Sequence, residues 1–197
     1  MAELALIATR ALTASSEKIP AIDADHRRDE RACLRAAQAG SIDAVEALYR
    51  RHWRPAYRAA HLIVHDQAAA EDIAQEAFLA ALRALHTFDR RRPFAPWLHR
   101  IVVNRAIDWS RARSLRGEVG EQAGDPRPRP EDPDLPDVAE ALARLSAEHR
   151  AVIVLRHLLG YRPGEIAGIL NLPRGTVNSR LRRGLDELAG RLEEDQS

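Results

Sequence analysis

Arg174, Thr176, Asn178, Ser179, Arg182 and Arg183 fall within the ten residues of "RGTVNSRLRR". These side chains recognise by hydrogen bonds and charge; none of them is a nucleophile with a base beside it. A guanidinium pairs bidentately with phosphate or a base edge, and amides and hydroxyls reach single base edges. At helical spacing Arg174, Asn178 and Arg182 form one row, with Ser179 and Arg183 in the next. No acid occurs from Arg174 to Leu185. A second basic stretch spans residues 90–116, where eight arginines face one acid, Asp108. Between these and the N-terminal third lies a run of opposite sign. Residues 66–89 hold five acids against Arg83, and Asp72, Gln75, Glu76 and Leu79 share one side of a helix there. Each set also fits a plainer reading, the solvated face of an amphipathic helix. Charge sorted into patches in a chain of net charge +1 favours surfaces with different partners.

Catalytic chemistry is poorly represented. No phosphate-cradling glycine loop, dinucleotide turn or nucleophile elbow is present. The eight histidines are scattered. His61 and His65 lie four apart and could share a metal with Asp66, but no third His or Cys follows at suitable spacing. Cys33 is alone, which excludes a disulfide within the chain and a cysteine zinc site. We therefore expect no enzyme activity, no metal and no cofactor. No apolar run approaches membrane-spanning length, and the first residues lack the basic segment of a secretion signal. A cytoplasmic protein without membrane insertion is expected.

These side chains must be carried on helices. Aromatics are 5% of the 197 residues and charged residues 30%. With Ala, Leu, Arg and Glu abundant, this favours an all-α fold. Residues 1–28 show no clear period and read as a variable tail. From Asp29 the pattern is helical, broken at Gly40-Ser41 with Ser41 as helix cap. Residues 117–136 hold five of the eleven prolines and no apolar period, and read as a flexible linker. Two small helical domains result, residues 29–116 and 137–192. In the second, Pro163 suits the first position of a short helix and Asn171 suits the left-handed residue ending it. Pro173 opens the next, whose Val177, Leu181, Leu185 and Leu188 point inward. This is a helix-turn-helix, and its second helix presents the hydrogen-bonding rows to a DNA major groove. In the first domain Leu98, Ile101, Val102, Ala106 and Trp109 form a core-facing stripe. Arg100, Asn104, Asp108 and Arg111 share the outer row. Trp53 and Trp109 are assigned to the core.

"GEIAGILNLPRGTVNSRLRRGLDEL" resembles the C-terminal DNA-binding region of bacterial extracytoplasmic-function sigma factors. "AEDIAQEAFLAALRALHTF" is similar to their core-polymerase-binding helix, and "PFAPWLHRIVVNRAID" to their promoter-melting segment. The resemblance covers residues 30–113 and 137–192. It implies a promoter-specific initiation factor whose RNA-synthesis chemistry belongs to the polymerase. It places Arg174, Thr176, Asn178, Ser179, Arg182 and Arg183 on the −35 element. Asp72, Gln75, Glu76 and Leu79 would dock on the clamp coiled coil of core RNA polymerase, with a further contact on its flap. Arg90, Arg91, Arg92, Trp97, Arg100, Asn104, Arg105, Asp108 and Arg111 would read and open the −10 region. The loop over residues 86–94 would form part of a pocket for an extruded base, and Trp97 is read either as a stacking platform or as core. Arg162 stands where the family usually has a Ser or Thr cap, and Asn178 where a basic residue is frequent. The implied partners are polymerase, promoter DNA and an anti-sigma factor, with a monomer in the free state. The rival reading is a stand-alone helix-turn-helix regulator with an N-terminal dimerisation or sensor domain, or an inactive homologue that competes for polymerase.

Overall fold

The computed structural model describes the backbone of residues 24–116 and 142–194, and side chains over 28–116 and 142–190. Most of the tail and all of the proline-rich linker lie outside the described residues. Seven α-helices run through the described residues: α1 Ala24–Gln38, α2 Ile42–Val64, α3 Gln67–Ala84, α4 Phe94–Leu115, α5 Ala147–Ile153, α6 Pro163–Leu170 and α7 Arg174–Glu194. No strand occurs among them. Helix α1 begins at Ala24, inside the stretch read as tail; its polar first turn hides the period that becomes visible only from Asp29.

The breaks follow local chemistry. Gly40 takes φ +91° at the α1–α2 turn, a conformation open to glycine. The Ser41 hydroxyl then accepts the Ala44 N–H at 3.3 Å and caps α2. Asp66 caps α3 by accepting the Ala69 N–H at 2.9 Å. Ser146 caps α5 by accepting the His149 N–H at 3.2 Å. Helix α5 loosens into a wide π turn at Val154–Leu158 before α6. Asn171 ends α6 at φ 53°, the left-handed conformation expected of it.

The first domain packs α1 to α4 around Leu34, Leu48, Ile63, Phe78, Phe94 and Leu98, all essentially inaccessible. Phe94 is the hub, its ring 5.0 Å from His52, 5.8 Å from Phe88 and 5.6 Å from Trp97. The second domain buries Leu142, Ile153, Leu155, Ile166 and Leu188. Gly184 lets α7 cross α5 closely; a Cβ there would stand 3.0 Å from Ile153 Cδ1 and 3.2 Å from His149 Cβ. The two domains pack against each other, with α4 touching α5 and α6, and α2 touching α5.

Helix α4 is accordingly buried along two rows. Leu98, Val102 and Ala106 face the first domain's core as expected, but His99, Val103, Ile107 and Ser110 are buried as well. Trp53 and Trp109, assigned to the core from sequence, are only partly buried at its edge. Trp53 belongs to a ladder of rings four residues apart on α2: Tyr49–Trp53 at 4.9 Å, Trp53–Tyr57 at 6.4 Å and Tyr57–His61 at 5.9 Å. Trp109 lies beneath the Arg113 guanidinium, 5.2 Å from its ring centre, a cation–π contact.

Gln38 ties α1 to the segment leading into the basic loop. Its side-chain amide donates to the Leu85 carbonyl at 2.7 Å and the Phe88 carbonyl at 3.1 Å. Gln38→Ala removes both bonds at a partly buried site, at a cost of about 2 kcal/mol. For a chain of this size the thermal midpoint falls by roughly 4–8 °C. A melt by circular dichroism checks this; a midpoint that stays in place removes Gln38 as the anchor.

Candidate nucleic-acid interface

The outer face of α7 is built as its spacing required. Arg174, Asn178, Arg182 and Arg183 are exposed and Thr176 and Ser179 half-buried. Val177, Leu181 and Leu188 point into the core, while Leu185 is half-buried. The Ser179 hydroxyl donates to the Thr176 carbonyl at 3.0 Å and keeps its oxygen lone pairs for an outside donor. Beside this face opens a cleft of about 560 Å³ lined by Arg156, Arg162, Pro163, Gly164, Glu165 and Arg174. Arg156 donates to the Tyr161 carbonyl at 3.3 Å, while Glu165 accepts the Arg162 N–H at 2.7 Å. Three guanidiniums against one carboxylate, at the start of α6, make an anion-attracting notch. Of the three, sequence reasoning placed only Arg174 against DNA. The signal was an arginine, Arg162, at the cap position of α6, where a guanidinium cannot accept the orphan N–H groups.

The basic loop before α4 presents Arg90, Arg91 and Arg92 to solvent. Asp89 organises it: its carboxylate accepts the Arg91 N–H and Nε–H, each at 3.0 Å, and its carbonyl accepts the Arg92 N–H at 2.9 Å. The Arg91 guanidinium holds the Asp89 carboxyl below the usual carboxylate range. Trp97 is half-buried, 4.6 Å from Phe88 and 5.6 Å from Phe94. Only part of its ring is therefore available for stacking. Along α4, Arg100, Asn104, Asp108 and Arg111 are exposed in one row.

Besides Arg91, two arginines of the expected set have carboxylate partners. Arg105 bonds to Glu76 of α3, joining a residue of the expected DNA set to one of the expected polymerase set. Arg111 bonds through Nε at 2.8 Å and Nη2 at 2.7 Å to one oxygen of Glu148, on α5 of the other domain. Burial raises the Glu148 carboxyl, but the Arg111 hydrogen bond, a backbone hydrogen bond and the charges of Arg111 and Arg180 together outweigh it and hold the group below the ordinary range. Asn104, Ile107, Asp108 and Arg111 share a cleft of about 280 Å³ with Glu148, Leu170, Leu172 and Arg180.

On α3, Asp72, Gln75 and Glu76 are exposed on one face, and Leu79 keeps 45% of its surface in solvent. Tyr49, 40% exposed and 5.1 Å from the Phe78 ring, extends this face with an aromatic edge. The i, i+4 spacing of Tyr49, Trp53 and Tyr57 was a signal available in sequence for it. Among the described residues no group of three or more His, Cys, Asp or Glu could hold a metal, and no helix is long and apolar enough to cross a membrane.

An all-helical pair of domains, one a helix-turn-helix with an arginine-bearing second helix, defines a DNA-binding class of protein. Its family follows from known sequences and structures. Residues 48–116 match the Sigma-70 region 2 family and residues 136–188 match Sigma-70, region 4. The chain is 36% identical over 166 residues to the ECF RNA polymerase sigma factor SigL of Mycobacterium tuberculosis, covering 80% of this chain and 94% of that protein. Its structure is similar to CnrH in complex with the cytosolic domain of CnrY, at TM-score 0.66 and 31% identity over 84% of this chain and 98% of that one. It shares its fold with RpoE in complex with the anti-sigma factor NepR from Bartonella quintana, at TM-score 0.65 and 24% identity over 75% of this chain and 96% of that one. The chain belongs to the ECF RNA polymerase sigma factors, which act in transcription initiation by binding DNA and are not enzymes.

Proposed function

We propose that the chain, a monomer when free, divides initiation among three surfaces. Residues 29–116 bind the clamp coiled coil of core polymerase and open the −10 region. Residues 137–192 read the −35 element and meet the polymerase flap. Residues 117–136 link the two. Asp72, Gln75, Glu76, Leu79 and the adjoining Tyr49 form the polymerase face. Arg90, Arg91, Arg92, Arg100, Asn104 and Arg111 form the −10 surface, with Trp97 at its aromatic edge. Arg105, bonded to Glu76, and Asp108, 3.9 Å from Arg111, set its charge. Arg174, Thr176, Asn178, Ser179, Arg182 and Arg183 enter the −35 major groove, and Arg156 and Arg162 seat a flanking phosphate. The observation carrying this reading is the exposed face of α7 over residues 174–185, which carries no acid, beside the arginine cleft. Relatives solved in complex with partner proteins, one of them an anti-sigma factor, support a partner of that kind in the same cell compartment as polymerase, the cytoplasm.

Run-off transcription with core polymerase on a promoter mapped by overexpression tests the reading; no stimulation refutes it. At residue level, Arg162→Ala and Arg182→Ala each lower the slope of log affinity against log salt by about one unit if each side chain neutralises a phosphate. Titration of promoter DNA by the holoenzyme at several salt concentrations measures it, and an unchanged slope removes that arginine from the phosphate contacts.

A further inference from the structure

The basic loop before α4 carries its arginines in solvent, yet both of its ends are held by another element. Gln38, the last residue of α1, donates through its side-chain amide to the Leu85 and Phe88 carbonyls at 2.7 and 3.1 Å. At the other end Pro93 stands at the cap position of α4 and offers no side-chain acceptor to the first N–H groups of that helix. Glu30 of α1 takes its place: the Glu30 carboxylate accepts the Phe94 N–H. His52 of α2 flanks the same carboxylate, its Nε2 3.4 Å from Glu30 Oε1. Glu30, Leu34 and Gln38 recur at every fourth residue. One stripe of α1, centred on the fully buried Leu34, therefore meets both ends of the loop. Its two polar members are about 12 Å apart along the helix axis.

The bonds made inside the segment have a shorter reach. The Thr87 hydroxyl donates to the Ala84 carbonyl at 2.8 Å and the Phe88 N–H to the Leu85 carbonyl at 3.0 Å, while the Arg91 and Arg92 N–H groups go to Asp89. These bonds give the turn its shape and not its place on the domain. Its place comes from Phe88, packed on Phe94 and Trp97, and from the Glu30 and Gln38 bonds. Both α1 side chains bind main-chain groups. They act on the path of the backbone and leave Arg90, Arg91 and Arg92 exposed.

We propose that Glu30 and Gln38 are positioning residues for −10 recognition, with α1 as a splint that holds residues 85–94 in the form that receives the DNA strand. The inference rests on the reading of Arg90, Arg91 and Arg92 as part of the −10 surface. Neither α1 residue is in the DNA-facing set; each acts through the backbone it holds. A loop free to move must be ordered as it binds, whereas a loop held in advance is ordered already. A held loop also sets three arginines and the Trp97 edge at fixed separations, which is what discrimination between strands requires. Charge alone suffices to bind an unrelated strand. Loss of the splint therefore weakens binding of the −10 sequence more than binding of any strand.

The experiment uses holoenzyme assembled from the full chain and core polymerase. Fluorescence anisotropy measures its affinity for a single-stranded oligonucleotide carrying the −10 sequence, for a scrambled strand of equal length, and for a −35 duplex as control. Gln38→Met keeps the length of the side chain without its donors. Glu30→Met removes the acceptor, and Glu30→Gln restores an oxygen for the Phe94 N–H. Gln38→Met and Glu30→Met are each expected to lower the preference for the −10 strand over the scrambled one about tenfold. The −35 duplex affinity is expected to stay unchanged, and Glu30→Gln to keep the wild-type preference. A purely stabilising role would lower the thermal midpoint and leave the preference of the folded protein as it is. Wild-type preference in both methionine variants overturns the proposal, as does a Glu30→Gln variant no better than Glu30→Met, or −35 binding that falls in step. A wild type that binds both strands alike falls on the −10 reading of the loop. A discriminating wild type matched by both methionine variants falls on the splint alone.

Discussion

Reversing both charges on the α3 face, Asp72→Arg with Glu76→Arg, abolishes the complex with core polymerase while leaving the helical fold intact. Both side chains are exposed, so neither supports the core. Glu76 does bond to Arg105, but that pair is 64% and 41% exposed. Solvent-screened bridges of this kind contribute less than about 1 kcal/mol. The effect on binding is of another size. An acidic-polar face that meets a basic partner becomes two like-charge contacts, each costing several kcal/mol, and every 1.4 kcal/mol is about tenfold. The affinity falls by at least about a thousandfold. Size-exclusion chromatography of protein with core enzyme shows it, with circular dichroism as the control on folding. Co-elution of the double variant moves the polymerase interface off α3.

Much of this site could be read in the sequence because it depends on short spacings. The rows of α7, the left-handed Asn171 and the Ser41 cap each follow from residue types within one or two helical turns. The α3 face follows from Asp72, Gln75, Glu76 and Leu79 in the same way. What was not legible depends on the other domain. On α4 the sequence stripe ran through Leu98, Ile101, Val102, Ala106 and Trp109, because these carry the apolar period there. The structure half-exposes Ile101 and Trp109 and buries His99 and Ser110. A histidine and a serine carry little apolar signal, and only packing of a second domain gives them a reason to be buried. Arg111 finds its partner 37 residues away, beyond the linker, where no helical period reaches. Arg105 was read as a DNA contact from local charge alone, and its bond to Glu76 crosses from α4 to α3.

Acid weakens the fold steeply below the ordinary histidine range, and the domain contact weakens first. Burial lowers the pKa of His99 to about 3, helped by neighbouring His52. Burial likewise lowers His65 to about 3, with Arg150 and His61 adding repulsion. Above the ordinary histidine value of about 6.5 both residues are neutral whether the chain is folded or unfolded, and stability is level. Between that value and about 3 the unfolded chain takes up the protons and the folded chain does not. Each histidine then costs about 1.4 kcal/mol per pH unit. The loss reaches about 3 kcal/mol at about pH 5.5 and about 5 kcal/mol at about pH 4.5 for the pair. His61 and His157, lowered by burial, act in the same direction. Glu30 adds to the loss at lower pH: burial raises its carboxyl, but His52, a backbone hydrogen bond at Phe94 and the charge of Arg51 together outweigh that and leave it below the ordinary range. Both large shifts arise at the boundary between domains, His99 against Tyr161 and His65 near Arg150, so scattering should show expansion before circular dichroism shows helix loss. Urea unfolding from about pH 7.5 to about pH 5.5 measures the slope, and His99→Gln should remove about half of it. A stability flat within about 1 kcal/mol over that range would mean the two histidines are hydrated in the native state, and with it that the domains do not close on them.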